Sequence, residues 1–220
     1  MASTNRMAHF TLTGTSPLLM HADDVGAIAA LSAWRKNPAN ESANAPGDDR
    51  SPPWTWQTYL HRDDGGNVAM PTVYVMAALR QAGARMILSR HATFKEIART
   101  GLLIDGEMLS FTSRGKAVNM AEFDENRDES FEEQAARVRA AGFSILTKRT
   151  LLSTRNSVRV RPKFEEWSVT GTIRMLAPEL TLESLTTLFD LAGQFGLCDW
   201  RPGCRTPGRY GMFESSVREA

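Results

Sequence analysis

The segment WSVTGTIRML at 167–176 limits the fold more than any other part of the chain. Trp167, Val169, Ile173 and Met175 alternate with Ser168, Thr170, Thr172 and Arg174, the period-two pattern of a strand with one buried face. Pro178 ends it, and Thr181 stands where a helix over TLESLTTLFDLAGQFG needs a cap. Leu182, Leu185, Leu188, Phe189, Ala192 and Phe195 form one apolar stripe on that helix. Gly196 supplies its stop, and RYGMFESSV reads as a closing strand. A strand, an amphipathic helix and a strand need a further layer to cover their apolar faces.

The rest of the chain supplies it. HFTLTGTS (9–16) alternates as a half-buried strand, and PLLMHADDVGAIAALSAW follows as a short helix. PTVYVMAALRQAGARMILSR (71–90) reads as a helix with Val73, Met76, Leu79, Gly83, Met86 and Ile87 on one stripe. GEMLSFTS (106–113) reads as a strand. Between these lie two insertions, at about 35–70 and 112–165. The first opens with the Pro-, Asn- and Ser-rich stretch 35–53, read as a surface excursion or disordered loop, then WTWQTYL as a strand and HRDDGGN as an Asp-Gly turn. The second holds an acidic stretch, a helix over EEQAARVRAAG closed by Gly142, and a basic β-ribbon at 146–164 with its turn near Arg155-Asn156. Without the insertions the order is β-α-β-β-α-β. That predicts one α+β domain over 1–220: a ferredoxin-like or RRM-type antiparallel sheet with two helices on one face and the other face open.

The chain carries a net charge of +1, but the charge is segregated. Residues 121–133 contain seven acidic residues and one basic, Arg127, while 148–163 contain six basic residues and no acidic one. No apolar run is long enough for a membrane span, and the first residues have no secretory h-region. The expectation is a cytoplasmic protein. Cys198 and Cys204 are the only cysteines; a reducing compartment disfavours pairing them, and zinc needs two more ligands than the scattered histidines offer. Neither a metal nor a cofactor is expected.

Two chemical readings compete. His21, Asp23 and Asp24 in LLMHADD are weak candidates for acid–base or metal-assisted cleavage of RNA, against plain capping aspartates. Lys148, Arg149, Arg155, Arg159, Arg161 and Lys163 read as guanidinium and ammonium groups along a β-ribbon, suited to phosphates, against an edge strand guarded by charge. Arg80 adds to the basic set. The run GLCDWRPGCRTPGRYGMF (196–213) holds four glycines and three arginines. Its amides are candidates for an anion nest, with Arg201, Arg205 and Arg209 for phosphates and Trp200 and Tyr210 for base stacking.

The segment G-L-x-D-W-R-P…G-R-Y-G-M-F resembles the C-terminal glycine-rich loop of the RAMP superfamily. DGGNVAMPTVYVMAALR resembles the family's turn into its first helix, and HFTLTGTSPLLMHADD its first strand and loop. Met70-Pro71-Thr72-Val73 departs from the family's small-residue turn, and the loop after the first strand lacks its glycine run. The resemblance implies a small guide-RNA-binding backbone subunit of a CRISPR effector, or a solitary phage or prophage relative. It implies single-stranded RNA or DNA as ligand, copies of the chain head to tail along the strand, and possible contact with other effector subunits. An endoribonuclease and a protein-binding assembly or decoy factor are the alternatives.

Overall fold

The computed structural model describes residues 6–90, 92–152 and 155–220. In chain order the elements are β1 (Arg6–Gly14), β2 (Leu18–Leu19), α1 (Val25–Lys36), two 3₁₀ turns (Pro38–Ala43 and Thr55–Tyr59), β3 (Ala69–Pro71) and α2 (Thr72–Gly83). There follow β4 (Ile87–Ser89), β5 (Ala92–Thr93), α3 (Lys95–Thr100), β6 (Leu102–Ile104), β7 (Met108–Ser113), α4 (Ala121–Glu125) and α5 (Phe131–Ala140). The chain ends with β8 (Ser144–Leu152), β9 (Arg155–Phe164), β10 (Trp167–Met175), α6 (Leu182–Phe195) and β11 (Phe213–Glu219). They form two compact units. The first comprises Met1–Leu18, Ala69–Ala117 and Glu165–Ala220; the second comprises Leu19–Val68 and Val118–Phe164. The stretches read from sequence as insertions in one domain thus overlap a second unit with its own core.

The first unit is built on an antiparallel sheet of order β11-β1-β10-β7-β3, with β6 also paired to β10. Taking β1, β7, β10 and β11 as first to fourth, the strands lie 4-1-3-2, the expected α+β ferredoxin-like arrangement. Alternation decides which face is buried. Ala8, Phe10 and Leu12 on β1, and Trp167, Val169, Ile173 and Met175 on β10, are all buried. The ring of Phe10 meets Phe189 of α6 at 5.0 Å. Gly171 explains itself here: it lies opposite Phe10 in register, and a Cβ on it would come within 2.6 Å of the Phe10 ring. The helix read over 181–196 forms as expected, with a capping box between Thr181 and Ser184.

The helix read over 71–90 stops at Gly83, and β4 and β5 form a small hairpin after it. Its buried residues are Val75, Ala78, Leu79, Ala82 and Gly83, while Val73 and Ile87 are 66% and 76% exposed. Leu79 and Gly83 of the expected stripe are buried, joined by Val75, Ala78 and Ala82 in place of Val73 and Met76. Gly83 packs so closely on α3 that a Cβ would lie 2.7 Å from that of Ala98. A large side chain at this crossing would hold the two helices apart.

The second unit contains β8 and β9 of the three-stranded sheet β2-β9-β8; the unit boundary falls within β2, between Leu18 and Leu19. β8 and β9 pair antiparallel from Ser144↔Lys163 to Leu152↔Arg155, so Arg155 and Asn156, expected at the turn, belong to β9. The segment WTWQTYL was expected to be a strand. Instead it winds into a 3₁₀ turn, because Trp54, Thr55, Trp56 and Gln57 are all buried and no face is left for solvent. Trp56 rests edge-on against Phe123 at 5.5 Å, with Phe143 and Phe164 completing the cluster. Its indole N–H donates to Gln134 Oε1 at 2.7 Å, satisfying a polar group that burial would otherwise penalise. In the acidic stretch, Ser130 and Glu133 form a capping box on α5, and Arg137 pairs with Glu122 and Glu129. Residues 35–53 take up local structure: they include the end of α1 and the first 3₁₀ turn, and a backbone strap pairs with β9.

Candidate nucleic-acid interface

The face of the first sheet turned away from Phe10 carries polar residues. Each alternates with a core residue, so the pleat that buries Phe10 and Val169 exposes its neighbours. Register puts His9 between Thr172 and Arg218, and Thr11 between Thr170 and Ser216. Together they line an open hollow of about 500 Å³, with Phe10 and Gly171 as the paired residues at its floor. His9 Nδ1 lies 3.0 Å from Thr172 Oγ1. Towards β7, Thr112 Oγ1 and Ser168 Oγ share a hydrogen bond of 2.9 Å. The hollow is lined by one arginine, one histidine, three threonines and a serine, with no carboxylate. Such a surface can hold a phosphate by charge and hydroxyl donors. His9 and Arg218 also present planar groups on which a base can stack.

The basic set from the sequence divides between the units. In the second, Lys148 and Arg149 are exposed on β8 and Lys163 is half-buried on β9; the side chain of Arg155 lies outside the described residues. Arg159 and Arg161 are turned to an acid that their own strand lacks. Arg159 Nη1 donates to Asp49 Oδ1 at 2.9 Å, and Arg161 Nη1 lies 4.0 Å from Asp49 Oδ2. Arg161 also covers the ring of Tyr59, with Cζ 4.6 Å from its centroid, and Tyr59 donates to Asp49 Oδ2 at 3.3 Å. Burial first, and the Asp49 charge second, push the Tyr59 phenol above its ordinary range. Asp49 is only 3% exposed.

His21 packs edge-on to the same Tyr59 ring at 4.9 Å. His61 is close enough to feel its charge; burial first and His21 second hold the His61 imidazole below its ordinary value. Asp23 is exposed. Asp24 is the N-cap of α1 and accepts from Gly26 N at 2.7 Å and Ala27 N at 3.2 Å, the capping role weighed against catalysis. Among the described residues no group of three or more His, Cys, Asp or Glu could hold a metal ion, and no helix is long and apolar enough to cross a membrane.

The glycine-rich loop of the first unit is folded on itself. Gly203 N donates to Phe195 O, Cys204 N and Gly208 N to Arg201 O, and Leu197 N to Gly211 O. Those amides are committed within the loop rather than pointed outward as a nest. Gly208 is required by its contacts, since a Cβ there would lie 2.0 Å from Trp200 O. Arg201 donates to Gln81 Oε1 at 2.9 Å and to Phe195 O. Trp200 and Tyr210 are half-buried and face each other at 6.4 Å. Arg205, Arg209 and, on α2, Arg80 are exposed. The Cys198 thiol packs on the Met70 sulfur at 3.7 Å, and burial pushes it up to about 12.

Neither a protein-family model nor a curated protein matches the chain.

His9, Thr11, Ser216 and Arg218 were not singled out from the sequence. Alternation marks the open face, but only register brings three strands to one hollow. Asp49 was also missed. It lies in a stretch that reads as loop, 110 positions from its partner.

Proposed function

We propose that the chain binds single-stranded nucleic acid, RNA before DNA, along the sugar–phosphate backbone on the polar face of its first sheet. The observation that carries this is the carboxylate-free hollow lined by His9, Thr11, Thr170, Thr172, Ser216 and Arg218. Arginine and hydroxyl groups position a strand through phosphate and sugar without reading its sequence. Open antiparallel sheets are a common platform for single strands, and contacts to phosphate, with stacking on planar side chains, are sequence-tolerant. The RAMP resemblance agrees, and adds an array of copies along the strand. Exposed Arg80, Lys148, Arg149, Arg205 and Arg209 are further phosphate contacts in this reading.

The test is fluorescence anisotropy with labelled single-stranded RNA and DNA of mixed sequence over a range of salt. The Arg218→Ala variant is expected to weaken binding equally across sequences and to lower the salt slope by about one. Unchanged affinity in a folded Arg218→Ala, Thr172→Ala double variant would refute the assigned face. Mass photometry on long oligonucleotides tests the array: a single copy per strand at saturation counts against it. A purified sample with the ultraviolet absorbance ratio of bare protein would favour the protein-binding alternative.

A further inference from the structure

Asp49 belongs to a strap whose attachment to β9 is slight. Val158 N donates to Gly47 O at 2.9 Å, and Asp49 N donates to Val158 O at 3.0 Å. Those two bonds form a parallel bridge at the edge of β9. Ala43, Ala45, Pro46 and Gly47 are exposed, so no apolar side chain anchors the strap before Ser51. Asp48 has its own partner, since Arg50 grips its carboxylate at 2.6 Å. Ser51 and Asn44 tie the strap to itself and to α1, and the side chain that joins it to β9 is the Asp49 carboxylate. It sits in a pocket of two guanidiniums and a phenol hydroxyl.

That pocket has the chemistry of an oxyanion site. Two arginines and a hydroxyl suit a tetrahedral phosphate at least as well as a planar carboxylate, because a phosphate offers more acceptor oxygens and more charge. We infer that Arg159, Arg161 and Tyr59 form a phosphate-binding pocket which Asp49 occupies in cis, and that a phosphate displaces the strap when it binds. The pocket's phosphate belongs, on the reading proposed above, to a nucleic-acid strand. The arginines keep the role that the sequence gives them, and the strap governs access to them. Asp49 thus makes binding weaker than the basic strand alone would allow.

Two measurements decide the matter. In the first, Asp49→Asn, which keeps the size and removes the charge, is compared with the parent chain by anisotropy on a single-stranded oligonucleotide. Freeing one charge-assisted contact should tighten binding by at least about tenfold and steepen its salt dependence, and adding Arg159→Gln should cancel the gain. A folded Asp49→Asn that binds no tighter than the parent overturns the inference. The second uses the parent chain with inorganic pyrophosphate and follows amide hydrogen exchange at Asp49 and Val158. Faster exchange at both supports displacement of the strap, and unchanged or slower exchange overturns it, even if Asp49→Asn fails to fold. If the chain binds no oligonucleotide while pyrophosphate still frees the strap, the nucleic-acid reading fails and the pocket stands.

Discussion

Gly193 sits in the last turn of α6, where an alanine would ordinarily stabilise the helix by up to about 1 kcal/mol. Here the sign is expected to reverse. A Cβ at Gly193 would lie 2.1 Å from Phe213 O, where ordinary contact begins at 3.4 Å. The obstacle is backbone in β11, which cannot rotate aside as a side chain can. The helix and the strand must separate by about an ångström, along a contact that closes the core behind Phe189. Overpacking of this kind costs about 3 kcal/mol, so Gly193→Ala should destabilise the chain by about 2 kcal/mol after the helix gain. For a chain of this length that is a fall of about 4–8 °C in Tm. Circular dichroism melts and urea titration will measure it. A Tm equal to or above the parent's would mean that α6 does not rest on β11 this closely.

Three further outcomes are expected. Asp24→Ala removes the cap of α1, a helix with no buried residue. It should lower local helix stability by about 1 kcal/mol, seen as faster amide exchange at Gly26 and Ala27, with nucleic-acid affinity unchanged. The Cys198 thiol, pushed up to about 12, should resist iodoacetamide at pH 8 in the folded chain and label on unfolding, as read by mass spectrometry. His61 is held below its ordinary 6.5, so the unfolded chain takes up that proton first as pH falls. Stability that is complete above pH 6.5 should therefore decline below it, and His61→Gln should flatten the decline in denaturant midpoints.

The elements legible in the sequence were those whose side chains alternate between core and water. β1, β10 and α6 were, because one face of each is apolar and the other polar. The buried 3₁₀ turn at Trp56 was not, because burial on every side erases the period. The stripe of α2 was read in part: Leu79 and Gly83 were on it, but Ala78 and Ala82 were missed because their small side chains carry little hydropathic signal. The hollow around His9 and Thr172 was half legible: the open face follows from alternation, but the grouping depends on pairing. The role of Asp49 was invisible, because nothing local joins residue 49 to residue 159.

The pairing of β1 with β11 has a consequence for biosynthesis. Ala8 lies opposite Glu219, so β1 waits for the much later β11 before both its edges are covered. The second unit, by contrast, has all its sequence by Phe164. A nascent chain can therefore complete its second unit while β1 still lacks the partner on one side. Until then β1 is an open edge with apolar Phe10 and Leu12 on one face, the kind of strand that recruits other chains. Closure between such distant residues is slow, which makes the interval before β11 emerges the period of greatest exposure to aggregation.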